Sequence, residues 1–246
     1  SRGYKDYRVF SNYGAILKDL GKLKDAEVFF RKSIKINPDF AEAHSNLGGI
    51  MNVLGNLKDS ELFIRKAIEL KPNLAEAHYN LGNTLKDIGK QKEAEISTRK
   101  AIEIDPNFAE AYYNLGGILS DIGRLQDSEL LIRKAIELKP NFAEAYNNLG
   151  RILNDLGKIQ EAELSTLKAI ELKPNDYDAR FNLGLLQLLK GDYKNGLENY
   201  EFRFKKKKPI TTHFQTTLQK NDNKKLQKGE KILLLSEQGL GDTLQY

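Results

Sequence analysis

Residues 109–142 read AEAYYNLGGILSDIGRLQDSELLIRKAIELKPNF, and this stretch decides the fold. Residues 110–122 contain no proline, and Tyr112, Leu115, Gly116 and Leu119 recur at helical spacing. Gly123 then predicts a helix stop, because glycine tolerates the left-handed backbone of a helix end. Residues 126–138 give a second amphipathic helix through Leu131, Ile132, Ala135, Ile136 and Leu138. Pro140 closes the pair, since it has no N–H and disfavours helix before it. Small residues at Gly116, Ser128 and Ala135 let the two helices approach closely.

The same pattern runs outward in both directions. Proline stands at 38, 72, 106, 140 and 174, and glycine at 14, 48, 82, 116, 150 and 184, always 34 apart. A second glycine follows each of these by seven residues. Six units result, 7–40, 41–74, 75–108, 109–142, 143–176 and 177–210. One helix pair this small cannot bury its apolar face alone, whereas a stack buries a continuous core. The expected fold is therefore all-α, a right-handed α-solenoid of six 34-residue helix-turn-helix units with a concave groove. Residues 1–6 flank the solenoid, which runs over 7–204; 205–230 read as a basic linker and 231–246 as a strand-like tail.

The 34-residue length and the pattern Tyr112…Leu115-Gly116…Ala135…Pro140 resemble the tetratricopeptide repeat (TPR) family. The resemblance covers residues 7 to about 204 and implies a protein–protein interaction scaffold. The last unit departs from it, with Gly196 and Arg203 where other units carry Ala or Ser.

Helical geometry of about 100° per residue sorts the first helix of each unit. Counting from each unit's first residue, positions 4, 7, 8 and 11 form the packing side, and positions 2, 6, 9 and 13 form the opposite stripe, which should face the groove. Position 6 is asparagine in every unit: Asn12, Asn46, Asn80, Asn114, Asn148 and Asn182. An amide donates and accepts together, so a row of them can pair with a peptide backbone whatever its sequence. Asn ladders of this kind occur in the TPR region of O-linked N-acetylglucosamine transferases, which these units resemble. Recent duplication would also make the positions alike. Position 9 argues against pure copying, since it reads Ala15, Gly49, Asn83, Gly117, Arg151 and Leu185.

Position 2 carries Glu42, Glu76, Glu110, Glu144 and Asp178, and position 13 carries Asp19, Asp87, Asp121 and Asp155. Arg-Lys pairs at 31–32, 65–66, 99–100 and 133–134 lie on second helices. These placements give an acidic groove, a basic outer side and an extended, polar to basic peptide partner. The alternative is a solvated face partly neutralised by Lys18 and Lys86. Tyr79, Tyr113 and Phe181 share position 5 at the groove edge, where they either touch ligand or pack between units. No lysine stands at position 5, which argues against a clamp for a C-terminal carboxylate.

Composition limits the chemistry. The chain has 246 residues, no cysteine and three histidines. His44 and His78 sit at the packing position filled elsewhere by Tyr112 and Tyr146, and His213 is alone, so no metal-ligand spacing forms. No catalytic residues, metal or cofactor are expected. No apolar run approaches the roughly 18 residues of a membrane span, and no signal segment opens the chain. The expectation is a cytoplasmic protein, with self-association through the solenoid ends left open.

Nine lysines between 205 and 231 face only Asp222 and Glu230, so the net +5 belongs to this segment and not to the body. Without interleaved aromatics it reads as a solvated linker, and no nucleic acid is expected. Residues 231–236 (KILLLS) then read as a short buried strand and 237–242 (EQGLGD) as a glycine-bearing turn. With Tyr200-Glu201-Phe202-Arg203-Phe204 before it, this junction resembles that of bacterial TPR–glycosyltransferase proteins. The resemblance implies that 231–246 is the truncated start of an α/β domain, and that the repeats are a substrate-recruiting arm.

Overall fold

The computed structural model describes residues 6–206. The strand and glycine turn read at 231–246, and the linker from 207 onward, lie outside the described residues. Within them the chain is all helix: α1 (Tyr7–Asp19), α2 (Leu23–Ile36), α3 (Ala41–Val53), α4 (Leu57–Leu70), α5 (Ala75–Ile88), α6 (Gln91–Ile104), α7 (Ala109–Asp121), α8 (Leu125–Leu138), α9 (Ala143–Asp155), α10 (Ile159–Leu172), α11 (Tyr177–Leu189) and α12 (Tyr193–Tyr200). They form six antiparallel pairs stacked in chain order, an α-solenoid. A 3₁₀ turn, Glu201–Phe204, follows α12.

The seven-residue glycine echo marks the turn inside each pair. Gly123 has φ 81°, and its five counterparts lie between 72° and 89°, a backbone that costs a side chain but not glycine. The proline turn between pairs is held differently. His44 and His78 each place Nε2 2.8 Å from the carbonyl of Pro38 and Pro72, respectively, and Arg180 donates to the carbonyl of Pro174 at 3.0 Å. Position 4 thus ties the start of one unit to the end of the one before.

The core follows the period. Alanines at position 3 (Ala43, Ala77, Ala111, Ala145 and Ala179) are fully buried, as are Leu47, Ile50, Leu115, Ile118, Ile132 and Ile152 or nearly so. Pairs close in two alternating ways. In the second and fourth units Ser60 and Ser128 donate to the carbonyls of Gly48 and Gly116 at 2.8 and 2.6 Å. In the third and fifth units alanine replaces that serine, and Thr98 and Thr166 donate to the carbonyls of Ala94 and Ala162 within their own helices. Each route satisfies a hydroxyl in the dry interior.

Adjacent units are also stapled by charge. Glu61, Glu95 and Glu129 each accept from the arginine four residues on, at 2.7 to 2.9 Å, and each meets a lysine or arginine of the following unit: Lys90 at 3.6 Å, Arg124 at 3.2 Å and Lys158 at 2.8 Å. At the last junction Glu163 meets Lys190 of the following unit, but Leu167 stands where the arginine would be. The arginine–lysine pairs of the second helices are therefore matched by glutamates, which corrects the expectation of a basic outer side.

The last pair packs differently. A Cβ on Gly184 would lie 2.6 Å from the backbone nitrogen of Tyr200 and 2.9 Å from the carbonyl oxygen of Gly196. In the earlier units the corresponding glycine faces a side chain, such as Ile64 or Thr98. Gly196 lets α12 approach α11 backbone to backbone, and α12 is only eight residues long.

Candidate functional site

First helices line one long face of the stack. Over the fourth to sixth units this face deepens into a cleft of about 800 Å³ between α7, α9 and α11, closed at one end by Lys205 and Lys206. Positions 2, 5, 6, 9 and 13 of these helices reach it, as the 100° geometry requires. Of the residues singled out from sequence, Tyr113, Asn114, Asp121, Glu144, Asn148, Arg151 and Asn182 come together here. Asn12, Asn46, Asn80, Asn83, Glu76, Glu110, Asp87, Asp155 and Tyr79 lie outside it.

The asparagine row is not a set of free amides. Asn12 is exposed, but Asn46 accepts from Lys18 Nζ at 2.9 Å. Asn80 Nδ2 donates to Ser45 Oγ at 3.1 Å, and Asn182 Nδ2 to Asn147 Oδ1 at 2.9 Å. Asn114 is only 6% exposed and its Nδ2 lies 3.4 Å from Thr98 Oγ1. Asn148 Oδ1 accepts from Arg151 at 3.0 Å, and the residue lines the cleft. Neighbouring first helices approach so closely that position 6 reaches position 5 of the unit before, so several amides join unit to unit. Three of the six, Asn114, Asn148 and Asn182, line the cleft, so the row is not one uniform ladder of free amides.

Charge in the cleft is mixed, five cations against four carboxylates, which corrects the acidic groove. Lys86, Arg151, Lys173, Lys205 and Lys206 stand against Asp121, Glu144, Asp176 and Asp178. Lys173 meets Glu144 at 2.6 Å, Lys206 meets Asp178 at 3.1 Å, Lys86 meets Asp121 at 3.3 Å and Arg151 meets Asp155 at 3.7 Å. Farther along the face, Glu42 meets Lys71 and Glu110 meets Lys139, both at 2.7 Å. The hydrogen bond from Lys173 holds the Glu144 carboxyl below its ordinary value. For Glu110 burial pushes upward, and the Lys139 bond outweighs it, again leaving the carboxyl lowered. Lysine at position 31, 29 residues after the glutamate at position 2, was the available sequence signal for this pairing. In the third unit position 31 is Asp105, and Glu76 instead lies 3.8 Å from Lys18.

The position-5 aromatics pack. Tyr79 rests against Phe108 and Tyr113 against Phe142, each with ring centroids 4.9 Å apart. Burial raises both phenols above their ordinary value. Phe181 is buried against Tyr200, with Lys206 Nζ 4.4 Å from its ring centroid. Tyr113 also forms part of the cleft wall. Gly117 leaves the cleft floor open: a Cβ there would come 3.2 Å from Lys86 Nζ. Sequence reasoning passed over Asn147 and Lys173 and took Lys86 only as a partial neutraliser of the acidic stripe, because positions 5, 31 and 12 lie at the edge of, or off, the stripe that one isolated helix presents.

Among the described residues no group of His, Asp and Glu is placed to hold a metal ion, and no helix is long and apolar enough to cross a membrane. The fold and the open face define a helical-repeat scaffold of stacked hairpins. Tetratricopeptide-repeat profiles match residues 7–40, 75–108, 98–129, 131–163 and 166–198, together more than half of the chain. The chain belongs to the tetratricopeptide-repeat family.

Several solved structures share the fold. YrrB, described as "a TPR protein with an unusual peptide-binding site", aligns with TM-score 0.53 at 23% identity over 72% of this chain and 91% of its own. PilF of Pseudomonas aeruginosa aligns with TM-score 0.71 at 17% identity over 81% and 90%. MamA aligns with TM-score 0.56 at 28% identity over 70% and 97%. The first two likenesses bear on the fold alone. No curated protein matches the chain in sequence.

Proposed function

We propose that this chain is an interaction scaffold that holds an extended, polar polypeptide segment in its concave face, centred on the cleft of the fourth to sixth units. The observation that carries the reading is the cleft itself: about 800 Å³, with Asn148, Asn182 and Arg151 on its wall and glycine on its floor. An amide beside an arginine can bind a peptide carbonyl and amide together, independent of side chains. Because most of the charged groups are already paired, the fitting segment carries both signs or few charges, and displaces Lys86 or Arg151 from weakly held partners. Peptide binding is described for YrrB, a TPR protein of the same fold.

The test is a peptide selection on immobilised protein, followed by calorimetry on the peptides recovered. Asn148→Ala/Arg151→Ala is expected to weaken binding at least about tenfold, the loss typical of a groove anchor. The melting temperature should stay within a degree or two, since both side chains border solvent. Asn12→Ala, far from the cleft, should bind normally. Undiminished binding by the double variant would place the site elsewhere.

A second reading, the recruiting arm of a glycosyltransferase, rests on the sequence of residues 231–242. It predicts that a longer product of the same reading frame binds a sugar nucleotide. Equilibrium dialysis with labelled uridine- and guanosine-diphosphate sugars measures this, and no binding by such a product removes the reading.

A further inference from the structure

Position 22 of the first five units, on the second helix, reads Val28, Leu62, Ile96, Leu130 and Leu164. Val28 is 49% exposed and the other four are 67% to 69% exposed. Positions 20, 24 and 27 of the same helices are the buried ones, so position 22 points away from the core, on the side opposite the groove. A single exposed aliphatic side chain is ordinary, but five in register along one face are not. Nor does duplication alone explain them. The side chain has changed among valine, leucine and isoleucine while staying aliphatic, whereas position 9 has drifted from glycine to arginine. Core packing does not demand the aliphatic class there, because these groups lie in water. In the sixth unit the row ends at Glu198.

A furrow lies beside the row at the second and third units. Between α4 and α6 a trough of about 660 Å³ has Ile68 and Leu81 in its floor, with Arg65, Arg99, Glu69 and Glu103 on its rim. We propose that this outer face docks a second copy of the chain, the two stacks antiparallel, with the aliphatic row of each set against the row of the other and entering its furrow. The face is self-complementary, as a two-fold interface must be. It carries both ridge and furrow, which is how helices interlock. Its rim charges are neutralised within the chain, Arg65 and Arg99 by Glu61 and Glu95, and Glu69 and Glu103 by Lys66 and Lys100, so a second copy sets no uncompensated like charge against them. An anionic membrane would instead meet those glutamates. A stable pair covers about 800 Å² on each partner, which requires several units in register and fits a row five units long. The groove lies on the opposite side, so peptide binding and pairing are independent.

Sedimentation velocity of the full chain from about 1 to 200 μM tests this, a range that brackets a micromolar pair. Concentration-dependent dimer is expected. Leu62→Glu/Ile96→Glu/Leu130→Glu should raise the dimer dissociation constant at least about tenfold, with circular dichroism and melting unchanged. The serine triple variant at the same sites, which adds no charge, should weaken pairing in the same direction. A wild-type chain that stays monomeric throughout, or triple variants that pair as tightly as wild type, would overturn the proposal. So would wild-type cosedimentation with phosphatidylglycerol vesicles that the triple variants lose, which would assign the face to a membrane.

Discussion

Gly184→Ala is expected to open the last helix pair while the middle of the stack stays closed. The added Cβ would sit 2.6 Å from the Tyr200 nitrogen, 2.9 Å from the Asn199 carbonyl carbon and 2.9 Å from the Gly196 oxygen. All three are backbone atoms, so relief requires α12 to move bodily away from α11. Overpacking costs about 1–3 kcal/mol, and a backbone obstacle belongs at the upper end. Alanine's better helix propensity returns about 1 kcal/mol, leaving a net loss of about 2 kcal/mol. Gly116→Ala is the control. Its Cβ would meet only side-chain atoms of Ile132 at close range, Cδ1 at 2.6 Å and Cγ1 at 2.8 Å, with the nearest backbone atom 3.4 Å away, so one side chain must yield rather than a whole helix and the net change should be smaller. Because each unit touches mainly its neighbours, the damage stays local. Hydrogen exchange should quicken in α11 and α12 of the Gly184 variant and be unchanged in α3 to α8. Uniform protection across the variant would show that the final pair is not packed backbone to backbone.

The second large effect concerns the charged staples between units. Glu129 is 8% exposed and lies between Arg133 of its own helix and Lys158 of the next unit. Burial pushes its carboxyl upward, but the hydrogen bonds from Lys158 and Arg133 outweigh burial and hold it below the ordinary value. Glu61 is lowered chiefly by its bond to Arg65. A carboxyl lowered in the folded state binds its proton less readily there than in the unfolded chain. Its stabilisation is therefore full above the unfolded value, about pH 4.3, and is lost as pH falls through the folded value. The melting temperature should be level near neutrality and fall steadily on acidification below about pH 4.5, where the unfolded carboxyls take up protons. Glu61→Gln/Glu95→Gln/Glu129→Gln should lower stability at pH 7 by about 1 kcal/mol per junction, because the partner cations remain half in water and screen the pairs. The variant's acid slope should be shallower than wild type, though not zero, since Glu110 and Glu144 keep their lysines. Equal slopes would mean that the staples contribute nothing to cohesion between units.

Much of this architecture was legible before any coordinates. Proline and glycine at a fixed interval placed every turn, because only glycine accepts the left-handed backbone at Gly123 and only a residue without an N–H stops a helix as Pro140 does. The side of each first helix that reaches the groove also followed, since one helix has one angular pitch. The asparagine row was legible as a row but not as chemistry. Whether Asn114 meets water or Thr98 depends on how far α7 is shifted against α6, and no single-helix projection contains that distance.

What the sequence by itself determined was the unit: its length, its two helices, its turns and its apolar face, all set by local backbone preference and periodicity. Only the tertiary structure decided how units meet. It turned the acidic stripe into paired charge by bringing Lys173 to Glu144 and Lys86 to Asp121, residues far apart in the chain. It used the amides of Asn80 and Asn182 to bind neighbouring helices, opened a cleft over Gly117, and drew α12 onto α11 through Gly184 and Gly196. The physical reason is that short-range preferences act along one chain segment, whereas pairing, burial and cleft shape depend on the rotation and distance between units, which the summed packing of all their side chains sets.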